Sequence, residues 1–149
     1  MNLYKLLVAR AAEGRPLKVG LIGAGKFGAM YLAQAKHTPG IHVVGIADLD
    51  PARARATLSR IGWPSERFGA PSFAAAAKTA ATNVSGDALA LIDVPEIDIV
   101  IDATGNPAAG IRHFTPPARG GPKLLYNVCF HAYCFCISTP GTLGVGSTV

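Results

Sequence analysis

Beyond Asp102 the sequence has no aspartate or glutamate at all. Residues 1–102 hold eleven Lys/Arg and all nine Asp/Glu, a balance of +2, and Arg112, Arg119 and Lys123 supply the other +3 of the net +5. The basic balance therefore reflects missing acids more than an added cationic surface. A nucleic-acid footprint is a dense basic face, and the three late cations are neither clustered nor interleaved with aromatics, so no nucleic-acid partner is expected. Long apolar runs are also missing: none reaches the ~18 residues that a membrane span requires. Within residues 1–10, Leu3, Leu6 and Leu7 are interrupted by lysine and arginine, too short a run for a signal-peptide core. Charge is sparse, at 15%, against 50% apolar residues, which excludes a disordered chain. The expectation is a globular cytoplasmic protein with no membrane partner, whose 149 residues match one domain of ordinary size.

What the chain does have is glycine at informative places. The apolar run Leu17-Lys18-Val19-Gly20-Leu21-Ile22 leads directly into Gly23-Ala24-Gly25-Lys26-Phe27-Gly28. A buried strand that turns through three spaced glycines into a helix is suited to a pyrophosphate. The first glycine permits the tight turn, the second lets the backbone approach the phosphates, and the third lets the helix pack closely on its strand. The helix then presents its unpaired N–H groups and the positive end of its dipole. Lys26 sits inside this turn, where phosphate contact and a solvated side chain are both open.

The rest of the first hundred residues repeats the same plan. Residues 2–13 read as a short amphipathic helix ended by Gly14 and the Arg15-Pro16 step. Residues 26–37 form the next helix, stopped by Thr38-Pro39-Gly40, and residues 41–47 are apolar at nearly every position, as in a parallel strand covered on both faces. Asp50 caps a helix that begins at Pro51 and runs to about residue 61. Further on, 73–80 and 87–92 read as helices, 82–85 as a short strand and 97–101 as the most strand-like stretch. That last strand runs into Asp102-Ala103-Thr104-Gly105-Asn106-Pro107, a small-residue turn before a proline-started helix. Alternating strands and helices predict a single α/β domain with a doubly wound parallel sheet. Thr104, Gly105 and Asn106 then fall at the carboxyl ends of the strands, where such sheets bind ligands.

Residues 19–28, 45–54 and 99–107 together resemble the N-terminal Rossmann domain of the NAD(P)-dependent oxidoreductases of the Gfo/Idh/MocA and homoserine dehydrogenase-like group. Within it, Tyr4-Lys5-Leu6-Leu7 and the Asp102–Pro107 turn look most like the homoserine dehydrogenase-like proteins that carry a C-terminal SAF domain. The resemblance implies a nicotinamide dinucleotide along the strand ends. Gly23, Ala24, Gly25, Lys26, Phe27 and Gly28 would lie at its pyrophosphate, Asp48, Leu49 and Arg53 at the adenosine ribose, and Thr104, Gly105 and Asn106 near the nicotinamide. Asp48 stands 25 residues after Gly23, near the ~20-residue offset at which an acid accepts from the ribose hydroxyls. Its charge would repel a 2′-phosphate and favours NAD over NADP, whereas Arg53 and Arg55 in the following helix offer the opposite preference. The implied reaction moves hydride between a small metabolite and nicotinamide. In such families the substrate residues follow the nucleotide domain, so no catalytic residue is assigned and this chain alone is expected to bind the dinucleotide and turn over nothing. A flavin or methyl donor in the same turn, and a non-catalytic nucleotide sensor or interaction module, are the alternatives.

The likeness stops near residue 113. The expected division is a leading helix at 1–14, a dinucleotide-binding domain at 15–113 and an atypical, poorly ordered or aberrant segment at 114–149. Phe114-Thr115-Pro116-Pro117 and Gly120-Gly121-Pro122 oppose a continuing helix. The break is read as a truncated or out-of-frame stretch of a longer gene in preference to a novel C-terminus. Cys129, His131, Cys134 and Cys136 match no familiar zinc spacing, and Phe130, Tyr133 and Phe135 place the cysteines, reduced, in an apolar strand. No metal is expected. His37, His42 and His113 read as surface or strand-end residues, and an oligomer is open.

Overall fold

The computed structural model describes residues 2–114, 124–127 and 137–138. Helix α1 (Leu3–Ala12), capped by the Asn2 side chain, precedes strand β1 (Leu17–Ile22) and helix α2 (Lys26–Ala35). Strand β2 (Ile41–Ala47) and helix α3 (Pro51–Arg60) form the second unit, with Asp50 accepting from the Arg53 amide as the cap that the Asp-Pro pair predicts. A short 3-10 turn at Ser65–Phe68, absent from the sequence reading, leads to α4 (Phe73–Lys78), β3 (Asn83–Ser85), α5 (Ala88–Ile92), β4 (Ile99–Asp102) and α6 (Pro107–Phe114). Two further strands, β5 (Leu124–Asn127) and β6 (Ile137–Ser138), lie in the segment that the composition break set apart.

The strands form one sheet in the order β3-β2-β1-β4-β5-β6. Neighbours from β3 through β5 pair in parallel, and β6 is antiparallel at the edge. Because the chain winds outward first through β2 and β3 and then through β4 and β5, β1 lies where the order reverses. Open α/β sheets bind ligands at that switch point.

Alternation along the strands divides the core between two faces. Leu21, Val43, Ile46 and Val84 pack under Leu32 and Ala35 of α2, Ala54 and Leu58 of α3, and Trp63. Ile22, Val44, Ala47 and Val100 face the other way, against Phe73, Ala76 and Ala77 of α4 and Leu91 and Ile92 of α5. With apolar side chains buried on both faces, the strands lose the apolar-polar alternation of a one-sided sheet, which is why β1 and β2 read as nearly continuous hydrophobic runs. No helix among the described residues is long and apolar enough to cross a membrane.

Candidate functional site

A cleft of about 470 Å³ opens at the carboxyl ends of β1, β2 and β4. Gly23 and Gly25 form its floor, Asp48, Leu49 and Arg53 stand at the β2 end, and Thr104, Asn106 and His113 stand at the β4 end.

The three glycines of the turn differ in what a side chain would meet. Gly23 has φ +91, in the left-handed region, and a Cβ there would press on the Ala103 and Thr104 backbone at 3.0 Å. At Gly28 the same atom would sit 2.1 Å from the Gly23 carbonyl oxygen, so this glycine lets α2 lie against the end of β1. Gly25 is the opposite case: its Cβ would meet nothing within 4 Å, and it is the N-cap of α2 with no side chain accepting from the helix. A bare, open bend at a helix N-terminus suits an anion that approaches the backbone.

Asp48 is 7% exposed and holds this bend from the side. Its Oδ2 accepts from the Ala24 amide at 2.7 Å, while Oδ1 accepts from the Asp50 amide at 2.9 Å and from Arg53 Nη2 at 3.1 Å. Burial pushes this carboxyl up, but the Asp50 and Ala24 amides and the Arg53 guanidinium outweigh burial and hold it below its ordinary value. The Arg53 side chain is 62% exposed, so the pair joins a buried acid to a cation that reaches solvent. Arg55, the other cation at this end, donates to the Val84 carbonyl at 2.8 Å and does not line the cleft.

At the β4 end, Asp102 is fully buried. Its Oδ1 accepts from the Thr104 amide at 3.0 Å and the Thr104 hydroxyl at 2.7 Å, and Oδ2 lies 2.7 Å from His113 Nδ1. Asn106 Oδ1 accepts from the Ala108 and Ala109 amides, so Asn106 caps α6 while also lining the cleft.

Of the residues expected from sequence, Gly23, Gly25, Asp48, Leu49, Arg53, Thr104 and Asn106 come together in the cleft wall. Ala24 is buried behind the turn, Gly28 packs beneath it, and Lys26, Phe27 and Gly105 do not line the cleft. His113 corrects the sequence reading: it is neither a surface nor a strand-end residue, because α6 continues to Phe114 and its side chain is only 14% exposed against Asp102. The signal was available in the spacing. Asn106, Ala109 and His113 are three and four residues apart, one helical face, and all three line the cleft. The cysteines and His131 lie outside the described residues. Among the described residues no group of three His, Cys, Asp or Glu could hold a metal.

The reversing sheet order, the glycine bend at β1 and the acid after β2 define a Rossmann-type dinucleotide-binding domain. Residues 17–115 match the model of the Gfo/Idh/MocA family, described as an oxidoreductase family with an NAD-binding Rossmann fold, and the chain belongs to that family. Among solved structures it is similar to a myo-inositol dehydrogenase from Lactobacillus casei in complex with NAD(H) and myo-inositol, at 20% identity and a TM-score of 0.50 over 75% of this chain. It is also similar to an NAD binding oxidoreductase from Klebsiella pneumoniae, at 24% identity and a TM-score of 0.39 over 59% of this chain. The chain spans 28% and 21% of the length of those two proteins. Comparison with curated proteins gives no match.

Proposed function

We propose that this chain is the nucleotide-binding part of an oxidoreductase that moves a hydride between a small metabolite and a nicotinamide dinucleotide, with NAD favoured over NADP. The observation that carries the reading is the bare Gly25 bend, open toward the cleft and braced by a carboxylate at the ribose-side strand. The residues present fit the cofactor. Gly23 and Gly25 give the pyrophosphate room to reach backbone amides at the start of α2, and the positive end of the helix dipole favours its charge. Among the described residues Asp48 Oδ2 has one hydrogen-bond partner, so the oxygen keeps a lone pair for a ribose hydroxyl.

When bound, the nicotinamide ring supplies the hydride chemistry, and the contribution of these residues is to orient it and keep water from one face. The leading helix and the Asp102–Pro107 turn favour a homoserine dehydrogenase-like member, in which a further domain would supply the substrate and proton-transferring groups. Titration with NADH, followed by nicotinamide fluorescence and by calorimetry, tests the reading: saturable enhancement with measurable heat is expected, and silence at millimolar NADH overturns it.

A further inference from the structure

The Asp102–His113 pair has a form that support of the fold alone does not require. Asp102 is completely buried, accepts two hydrogen bonds from Thr104 and lies 2.7 Å from the imidazole Nδ1. With Asp102 as a carboxylate, His113 Nδ1 is the donor in this contact. In a neutral imidazole this leaves Nε2 as an acceptor. Asp102 is the one hydrogen-bond partner of His113 among the described residues, and His113 lines the cleft. The same end is lined by Ala103 and Ala109, small and apolar, by Asn106, and by Thr104, whose hydroxyl is committed to Asp102. The β4 end of the cleft therefore combines small apolar side chains with the polar groups of Asn106 and His113.

We propose that His113, oriented by Asp102, receives the carboxamide N–H of the nicotinamide ring, and that this contact sets the orientation of the ring in the cleft. The assignment rests on the dinucleotide reading above. It follows from position and chemistry together. The β1 bend takes the pyrophosphate, and Asp48 at β2 lies on the adenosine side, so the second nucleoside must extend toward β4, where Ala103, Ala109 and His113 stand. A nicotinamide ring presents an aromatic face and a carboxamide, whose NH2 group is the complement of the His113 acceptor. Asp102 acts as a positioning residue: it fixes the imidazole tautomer, as an orienting carboxylate does for any acceptor histidine.

Binding of NADH is compared with binding of ADP-ribose, which carries the adenosine, both phosphates and a ribose but no nicotinamide. The expected wild-type result is tighter binding of NADH. His113→Phe keeps a ring of similar size and removes the acceptor, and should weaken NADH about tenfold while leaving ADP-ribose within about twofold, the scale of one lost hydrogen bond. His113→Gln, whose amide can reach the Nε2 position, should recover most of the NADH affinity. Asp102→Asn should lower NADH affinity and spare ADP-ribose, because an amide facing Nδ1 reverses the tautomer and turns Nε2 into a donor. Equal loss of both ligands in His113→Phe and His113→Gln would make the histidine a brace for α6 and overturn the assignment, as would unchanged NADH binding in His113→Phe. Wild-type protein that binds ADP-ribose and NADH equally refutes this contact and leaves the dinucleotide reading standing. Wild-type protein that binds neither refutes the dinucleotide reading itself.

Discussion

The Ala24 amide donates to Asp48 Oδ2 across 2.7 Å, so the acid after β2 holds the glycine bend after β1 in shape before any ligand arrives. A carboxylate so placed has two roles that mutation can separate. Asp48→Ala leaves the Ala24 amide buried without its partner and should destabilise the fold by about 2 kcal/mol, the usual cost of an orphaned buried donor. Asp48→Asn retains an acceptor for Ala24 and should cost about half as much, yet lose most of the dinucleotide affinity because its neutral amide is a weaker acceptor for ribose hydroxyls. Thermal unfolding and NADH titration of the two variants measure the roles side by side. Equal NADH affinity in wild type and Asp48→Asn would confine Asp48 to bracing the bend.

Gly25 and Gly28 stand three residues apart in one motif and should respond oppositely to the same substitution. A Cβ at Gly28 would collide with the Gly23 carbonyl oxygen, a backbone atom that cannot swing aside. Gly28→Ala should therefore destabilise by about 1–3 kcal/mol or more, through overpacking between α2 and β1. At Gly25 the φ is −70 and the space is open, so Gly25→Ala should cost within about 1 kcal/mol, mostly through a poorer N-cap. Its methyl group would occupy the place the phosphates need, and NADH affinity should fall at least about tenfold while the melting temperature barely changes. A Gly25→Ala protein that binds NADH like wild type would move the pyrophosphate elsewhere.

The first three strands were legible in the sequence because both faces of the sheet are covered, which writes β1 and β2 as dense apolar runs between Gly and Pro punctuation. Asp50, Ser72 and Asp87 mark helix starts through the caps they form, a local signal that survives without any tertiary information. The glycine motif and Asp48 were legible as types at a spacing, but their mutual hydrogen bond was not, since residues 24 apart meet only after β1 and β2 pair. His113 was lost for a related reason. Prolines and glycines follow it closely and mask the helical face that His113 shares with Asn106 and Ala109. Strand β5 follows a stretch of glycine and proline, and its four residues find their place only through pairing with β4.

Acid should weaken this fold in two stages. His42 is held below its ordinary 6.5, first by burial and also by Lys18 and Arg67, against the bond to the Ala81 carbonyl that raises it. Its neutral form is favoured in the folded state, so its contribution is complete above 6.5 and is lost as pH falls through the lowered folded value. Asp48 is held below its ordinary 3.8, so its contribution is complete above that value and is lost only at more acidic pH. Melting temperature recorded against pH should therefore decline below pH 6.5, then decline further in the carboxylate range. His42→Gln should flatten the first limb and leave the second, and Asp48→Asn should do the reverse. An unchanged upper limb in His42→Gln would assign that loss to another group.

The Arg53 guanidinium reaches solvent beside Asp48, the acid proposed above to disfavour a 2′-phosphate. The ion pair is too exposed on the arginine side to matter much for stability, and Arg53→Ala should shift unfolding by under about 1 kcal/mol. Its effect on ligand choice should be larger. Without the cation, Asp48 faces the 2′ position uncompensated, so NADPH should weaken several-fold more than NADH and the preference for NADH should sharpen. Asp48→Asn removes the repulsion and keeps the cation, and should move the ratio toward NADPH. Dissociation constants for both cofactors in the three proteins decide the matter. If Arg53→Ala weakened NADH and NADPH alike, the guanidinium would be gripping a group that the two dinucleotides share, such as the pyrophosphate, and selection between them would rest on Asp48 alone.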